Sequence, residues 1–269
     1  MPEPLPADLA ASLDATRARR GRFGAPVTYV SEATSTNDLA AALAAAGAPE
    51  GATVIAGAQT AGRGRLGRTW FSPPGSGLYM SIVLRSRAAA PYVTLAAGVA
   101  VADGIRAASG LPLELKWPND VVTSSTQGPA RRRKVAGILA EASSSAEGVD
   151  HVVLGIGINL TPAAYPREIA DRASSIETEL GRPVDTGRIA SEVLSAFAAG
   201  WPPLTAGDPS ALLRRWISLA PSASGTAVEC EARGGRVHGV TAGIDASGAL
   251  LVRFGDRLER VVAGEVVWK

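Results

Sequence analysis

The segment Gln59-Thr-Ala-Gly-Arg-Gly-Arg-Leu-Gly-Arg-Thr-Trp70 interleaves Arg63, Arg65 and Arg68 with Gly62, Gly64 and Gly67. That combination suits the holding of oxyanions. Glycines let backbone N–H groups approach phosphate oxygens closely, and guanidinium forks match such oxygens two at a time. The glycines formally satisfy the G-x-G-x-x-G dinucleotide fingerprint, but a helix should follow, and Phe71-Ser-Pro-Pro-Gly75 follows instead. No acidic residue stands about twenty positions further on, and no Gly-Lys-Ser/Thr marks a P-loop. Two readings stay open: a solvated basic loop, and an anion-binding loop.

Further segments carry chemistry-bearing residues. Lys116-Trp-Pro-Asn-Asp120 sets a lysine before Trp-Pro and an amide–carboxylate pair after it, although Pro-Asn-Asp is also ordinary turn chemistry. Lys134-Val-Ala-Gly-Ile-Leu-Ala-Glu141 opens an apolar strand with a lysine, in a chain whose other lysines are Lys116 and Lys269. Lys134 is either the solvated end of the run Arg131-Arg-Arg-Lys134 or, sharing a face with Ala136 and Ile138 by strand alternation, an inward-pointing group. In Val153-Leu-Gly-Ile-Gly-Ile-Asn-Leu160, Gly155 and Gly157 thin one face of a buried strand. Such thinning signals a close neighbour, either a packed helix or a bound ligand.

Composition narrows the classes. Lys+Arg 27 against Asp+Glu 25 leaves a net charge of +2, too small for a strong polyanion or membrane-surface field. One cysteine, Cys230, excludes an internal disulfide framework and cysteine-clustered metal sites. His151 and His238 lie far apart, which argues against a histidine-based metal site. The N-terminus shows no basic n-region followed by an apolar core, and the apolar stretch 88–102 is shorter than the roughly 18–20 residues of a membrane span. A cytoplasmic protein with a free thiol is expected.

The elements that must position these residues follow from periodicity and punctuation. A helix is predicted over 7–19, a strand over 27–30, and a helix over 38–46 with Thr34-Ser35-Thr36-Asn37 supplying N-cap hydroxyls. Strands over 52–58 and 78–84 flank a polar loop, and a helix over 91–108 leads to strands at 113–116 and 121–122. A hydrophilic hairpin loop, Thr123–Arg133, precedes strands over 134–141 and 151–160. Helices over 175–180, 186–199 and 210–219 come next, then a linker over 221–225. Strands over 226–231, 236–244, 250–254 and 258–262, with turns at Gly234-Gly235, Asp245-Ala-Ser-Gly248 and Gly255-Asp256, suggest a small antiparallel barrel. The class is α+β: a mixed sheet flanked by helices, plus an all-β appendix.

Taken in order, Thr34-Ser-Thr-Asn37, the Gly-Arg-Gly-Arg-x-Gly-Arg loop, Lys-Trp-Pro-Asn-Asp, Lys-x-x-Gly-Ile-Leu-x-Glu and Gly-Ile-Gly-Ile-Asn closely resemble the biotin–protein ligases (biotin–[acetyl-CoA-carboxylase] ligases) from about Ser31 to Leu160. The tail is similar to that family's C-terminal domain. The resemblance implies a class II aminoacyl-tRNA-synthetase-like catalytic fold with a small C-terminal SH3-like β-barrel. Its divisions would be residues 1–24 as an N-terminal arm, 25–221 as the catalytic domain and 222–269 as the barrel. It implies a two-step reaction: biotin and ATP, with Mg²⁺, give biotinyl-5′-AMP, and a lysine of a biotin carboxyl carrier protein then takes the biotinyl group. By the same resemblance, Ser35, Thr36 and Asn37 border the biotin ureido group with Gln59 nearby. Arg63, Gly64 and Arg65 close over biotin and the adenylate, Arg68 sits on the phosphates, and Gly137 lines the pocket. Lys134 bonds the biotin carboxylate and α-phosphate, and Trp70, Asn119 and Asn159 belong to the adenylate side. Arg63, Lys134 and Asp120 are the catalytic candidates, with Asp120 orienting or deprotonating the carrier lysine or helping to place Mg²⁺.

Departures also carry expectations. Regulatory members have an N-terminal winged helix-turn-helix, whereas the segment ahead of Thr34 has room for one helix, so a monofunctional ligase without DNA binding is expected. A homodimer is allowed for, and the insertion Thr123–Arg133 has no functional account. Two alternatives remain. A lipoate–protein ligase or octanoyltransferase is disfavoured by the Arg-Gly-Arg loop and the β tail. A nucleic-acid regulator using Arg131-Arg-Arg-Lys134 is disfavoured by the small net charge and the missing reading head.

Overall fold

In the computed structural model of the chain, residues 2–125, 128, 131–146, 148–163, 165–232, 235–262, 264 and 266–268 are described. Strands β1 (Val27–Val30), β2 (Thr53–Ala56), β3 (Gly77–Leu84), β4 (Leu113–Lys116), β5 (Asp120–Thr123), β6 (Lys134–Ser145) and β7 (Gly148–Asn159) form one sheet in the order β1-β2-β3-β7-β6-β5-β4. The β1–β2 pair is parallel and the others are antiparallel, so the sheet is mixed as expected.

Alternation gives the sheet two unlike faces. Ile55, Met80, Ile82, Ile138, Leu154 and Ile156 point into the main core, which is completed by helices α4 (Val93–Ser109), α7 (Thr186–Thr205) and α8 (Ser210–Leu219). The opposite face carries Val54, Val83 and Val153 under Ala40 and Ala44 of helix α3 (Thr36–Ala45). α3 covers only one end of that face. The remainder is left open for a ligand cavity.

Several elements depart from the sequence expectation. The N-terminal helix breaks at Thr16 into α1 (Ala7–Ala15) and α2 (Arg17–Arg20). The hydroxyl of Thr16 accepts from Arg20 Nε at 3.0 Å, and the buried Arg20 guanidinium is otherwise satisfied by the carbonyls of Leu13, Phe23 and Gly24. Phe23 packs edge-on against Phe197 and Trp201, with centroids 5.2 and 5.9 Å away, so this first segment contributes to the core. α7 runs past its predicted end through Pro202 and Pro203, because Trp201 and Leu204 are core residues. Ser35 occupies the N-cap of α3, but its hydroxyl makes no capping bond. α5 (Arg167–Ala170) was not predicted; α6 (Ile176–Leu180) was.

The tail forms a second, five-stranded antiparallel sheet from β8 (Ser224–Ala232), β9 (Gly235–Ile244), β10 (Leu250–Phe254), β11 (Arg257–Val261) and β12 (Val266–Trp268), in the order β11-β10-β9-β8-β12. β12 was not anticipated, and Gly234 of the predicted turn lies outside the described residues, as do parts of the 123–133 loop and Lys269. Val228, Leu250, Val252, Val266 and Trp268 join the same apolar cluster as Leu95 and Trp117, so the two sheets share a core. Docking is completed by the β9–β10 turn. Trp117 Nε1 donates to Gly248 O at 3.0 Å, and Tyr92 OH donates to Ala246 O at 3.0 Å. No helix among the described residues is long and apolar enough to cross a membrane.

Asp245 organises this turn, accepting from the backbone N–H groups of Ser247 and Ala249 at 2.8 and 3.1 Å and pairing with Arg260. Burial raises its carboxyl pKa, but the Ser247 hydroxyl, Arg260 and the two backbone donors outweigh that and lower it to about 2. A depressed carboxyl pKa stabilises the fold above its unfolded value of ~3.9. That contribution is lost as pH falls through about 2. Asp245→Asn is therefore expected to be less stable than wild type at pH 7, with the gap narrowing steadily below pH ~4. Urea unfolding at pH 7, 4 and 3 checks this; a gap independent of pH would contradict it.

Candidate active site

On the open face, the register sets two rows of residues side by side. One row reads Tyr79, Gly157, Gly137 and Asp120 across β3, β7, β6 and β5; the next reads Ser81, Gly155 and Leu139. The three glycines strip side chains from the middle of this surface. A Cβ at Gly157 would stand 2.3 Å from Trp70 Nε1, one at Gly137 2.8 Å from the Trp70 ring, and one at Gly155 2.3 Å from Asn37 Oδ1. Both close neighbours foreseen at Gly155 and Gly157 are thus protein groups: α3 through Asn37, and the arginine loop through Trp70. A cavity of about 550 Å³ opens above them. That is within the range of small-molecule sites.

Lys134 reaches this face through an irregularity. Strict alternation would put it with Ala136 and Ile138, which face the core. The β5–β6 register shifts between Val121 and Val122, which moves Lys134 to the Gly137 side. Its Nζ lies 2.6 Å from Asp120 Oδ1 and 5.1 Å from the centroid of the Trp70 ring. The backbone of Lys134 is fixed by Arg172 and Ser174, with N–H···O distances of 2.7 and 2.9 Å. Asn159 supports the same junction by donating to Ser174 O at 2.9 Å, which occupies part of the amide expected on the adenylate.

The arginine loop is a small hairpin. Gly64 N donates to Arg68 O at 2.7 Å and Trp70 N to Gly62 O at 2.8 Å, leaving Arg65–Gly67 as the tip. Its first two arginines sit in different electrostatic surroundings. Arg63 pairs with Asp38 and with Glu141, and these hydrogen bonds raise its pKa. Among the described residues the Arg65 side chain hydrogen-bonds only the amide oxygen of Asn119, at 3.3 Å, and burial lowers its pKa. A desolvated guanidinium without a carboxylate partner of its own favours an incoming anion.

A polar seam lies at the α3 end. Thr36 N donates to Gln59 Oε1 at 2.9 Å, Gln59 Nε2 donates to Ser72 Oγ at 2.9 Å, and Ser81 Oγ lies 2.8 Å from Thr36 Oγ1 and 2.6 Å from Asn37 Oδ1. Ser35, Thr36, Asn37, Gln59, Arg63, Gly64, Arg65, Arg68, Trp70, Asn119, Asp120, Lys134, Gly137 and Asn159 all line the one cavity. Sequence reasoning missed Tyr165, Ile169, Arg172, Lys116, Arg132 and Trp268, which also line it. The first three belong to the short α5 region, which has no periodic signal. Lys116 was quoted without a role, and Trp268 sits on the unpredicted β12.

The run Arg131-Arg-Arg-Lys134 is largely consumed internally. Arg132 Nε lies 2.5 Å from Glu114 Oε2, Arg133 pairs with Glu179 at 2.7 Å, and Lys134 pairs with Asp120. Among the described cavity residues Asp120 is the sole carboxylate, and the described residues contain no group of three or more metal-type ligands.

Residues 28–159 match the Biotin/lipoate A/B protein ligase family, and residues 223–268 match the Biotin protein ligase C terminal domain. The Bifunctional ligase/repressor BirA of Bacillus subtilis is 32% identical over 249 residues, covering 91% of this chain and 74% of that protein. The chain belongs to the biotin protein ligase family. The biotin--[acetyl-CoA-carboxylase] ligase of Mycobacterium tuberculosis is 37% identical over 254 residues, 88% of this chain and 87% of that one. Among solved structures, the biotin protein ligase from Aquifex aeolicus in complex with biotin and ATP superposes with a TM-score of 0.74 at 27% identity, over 90% of this chain and 98% of that chain. The family's catalytic fold and its C-terminal module are therefore both present.

The glycine floor makes a direct prediction. Gly157→Ala should push the Trp70 indole off the sheet at a cost of about 1–3 kcal/mol. Its near-UV circular dichroism should change as that of Trp70→Leu does, with the far-UV spectrum retained. An unchanged near-UV spectrum would mean that β7 yields instead.

Proposed function

We propose that this chain activates biotin with ATP to biotinyl-5′-AMP and transfers the biotinyl group to a lysine of a biotin carboxyl carrier protein. The observation that carries the reading is the pairing of Lys134 with Asp120 against Trp70, beside an Arg65 that has no paired carboxylate among the described residues. Attack of a carboxylate on a phosphate brings anions together, so fixed cations must offset the charge that develops. Lys134 is suited to bridging the biotin carboxylate and the α-phosphate, and Arg65 and Arg68 to holding the adenylate and the departing pyrophosphate. Trp70 offers an apolar wall, and its Nε1 has no hydrogen-bond partner among the described residues. Thr36, Asn37 and Gln59 would meet the ureido group. Tyr165 and Ile169, at another part of the cavity, would serve the adenine.

Mg²⁺ would enter with ATP and be held mainly by phosphate oxygens, since Asp120 is the only carboxylate among the described cavity residues. Bound there, it would add positive charge at the phosphates. When Lys134 engages the ligand, Asp120 is left beside the acyl carbon as the group to orient the carrier amine or receive its proton. The division would be an N-terminal arm over 1–24, a catalytic domain over 25–221 and a tail domain over 222–269. The tail brings Val266 and Trp268 to the cavity wall, which supports a part for it in nucleotide binding or carrier docking. A carboxylase carrier subunit and the cytoplasm complete the reading.

The deciding experiment supplies ATP with biotin or with lipoate and follows pyrophosphate release, then tests labelling of a carrier domain on a streptavidin blot. Biotin alone should be turned over; release with lipoate alone would favour the lipoate ligase reading. Lys134→Ala should lower adenylate formation by about 10²–10³-fold or more, with an unchanged far-UV spectrum. Near wild-type adenylate formation would place the reaction elsewhere. Arg65→Ala should lose biotinyl-AMP to hydrolysis faster than wild type, with a smaller change in the initial biotin affinity. Single-turnover assays with labelled biotin separate the two effects.

A further inference from the structure

Glu141 ends the Lys-x-x-Gly-Ile-Leu-x-Glu motif, and no role follows for it from the reaction as described. It does not line the cavity, yet two groups that do line it meet on its carboxylate. Glu141 Oε2 accepts from Asn37 Nδ2 at 2.5 Å and from Arg63 Nη2 at 2.9 Å. One arm of this junction is the N-terminal turn of α3, and the other is the root of the arginine loop.

An ionised carboxylate accepts hydrogen bonds and donates none. Its contact with Asn37 therefore decides which end of that amide faces which way. The nitrogen points to Glu141, and the oxygen must point to Ser81 Oγ, 2.6 Å away. Ser81 has one proton, so giving it to Asn37 leaves its oxygen as an acceptor toward Thr36 Oγ1. With the Thr36 hydroxyl proton given to Ser81, the Thr36 backbone N–H fixes Gln59 Oε1 at 2.9 Å, and Gln59 Nε2 then donates to Ser72 Oγ, which donates to Trp70 O. Asn37, Ser81 and Thr36 are buried, and an inverted amide would set its oxygen against the Glu141 carboxylate, acceptor to acceptor, and take from Ser81 the oxygen to which its hydroxyl donates. Gly155 gives the Asn37 amide the room to lie in this plane.

We infer that Glu141 is a positioning residue for substrate recognition: it sets the donor–acceptor polarity of the wall formed by Asn37, Ser81 and the Thr36 hydroxyl and ties the arginine loop to that wall through Arg63. This rests on the proposed biotin-activating function. A cyclic urea presents one carbonyl acceptor and two N–H donors, so it discriminates between the two orientations of the wall. Glu141→Gln keeps size and shape but can donate as well as accept, which lets the Asn37 amide invert and also removes one charge from the Arg63 pair.

The test is steady-state pyrophosphate release by full-length wild type, Glu141→Gln and Asp38→Asn, with biotin and ATP varied separately. Asp38→Asn weakens only the other anchor of Arg63 and so separates loop tethering from amide orientation. Glu141→Gln should raise the KM for biotin about tenfold, in keeping with the loss of a charged hydrogen-bond partner, with kcat and the KM for ATP within about twofold. Asp38→Asn should raise the biotin KM distinctly less, and a thermal melt close to wild type shows that each variant is folded. Because a merely structural defect would not fall on one substrate, that split supports the assignment. A wild type that turns over biotin while Glu141→Gln keeps the wild-type biotin KM overturns it, as does an equal rise in Asp38→Asn or a loss shared equally by ATP. A wild type that releases no pyrophosphate with biotin overturns the functional reading itself and this inference with it.

Discussion

A side chain cannot lie flat on a β-sheet whose own Cβ atoms stand up beneath it, and the site depends on removing that obstacle at three adjoining positions. Gly137 and Gly157 face each other across β6 and β7, and Gly155 follows on the same face. Trp70 takes the first two vacancies and Asn37 the third. The indole in turn gives Lys134 a π-face 5.1 Å below its ammonium, and Asp120, directly opposite Gly137, fixes that ammonium from the other side. Raising any part of this floor by one methyl group would shift the group above it, and the cation would lose the geometry of its two neighbours.

Charge placement follows a second constraint. Among its described residues the cavity gathers Arg63, Arg65, Arg68, Lys116, Arg132, Lys134 and Arg172 against one carboxylate, although the whole chain carries only +2. Like charges this close are tolerated where each has a local acceptor. Arg63 has Asp38 and Glu141, Arg132 has Glu114, and Lys134 has Asp120. Arg65 has an amide oxygen instead, and burial works against its charge. The electrostatic deficit therefore falls at the loop tip, where a phosphate would relieve it. It is a local property, invisible in the net charge.

The pattern of what was legible in the sequence has the same physical origin. Long periodic segments such as α4 and α7, and continuous apolar runs such as β3 and the second half of β7, announced themselves, because their pattern is local. The glycines of β6 and β7 and the arginine–glycine loop were also readable, since their residue types are unusual in those settings. Elements held by partners distant in sequence were not. β12 is three residues long and pairs with β8, α5 is a single turn, and Arg20 breaks the first helix by reaching back to carbonyls. Alternation left Lys134 either at the solvated end of the basic run or on the core face; a bulge at Val135 in its own strand turns it to the cavity instead. Ser81 gave no signal, because its place beside Thr36 and Asn37 exists only once α3 packs across β3.

The Lys-Trp-Pro-Asn-Asp motif shows how one short turn serves several masters. Trp117 donates its indole N–H to Gly248 O of the tail turn, where Asp245 holds the backbone in shape. Two residues later, Asn119 exchanges hydrogen bonds with Ile138 of β6, at 2.8 and 3.0 Å, and accepts from Arg65 of the loop. Asp120 begins β5 and holds Lys134. A displacement of the tail turn would therefore act on the same five residues that place Asn119 and Asp120, with no flexible linker to absorb it. Because Trp117 is buried in the core shared by the two sheets, the motif is stiff as well as short. The tail is thereby joined to the reaction surface through a rigid turn, which gives its sheet a mechanical bearing on the site in addition to the wall that Val266 and Trp268 supply.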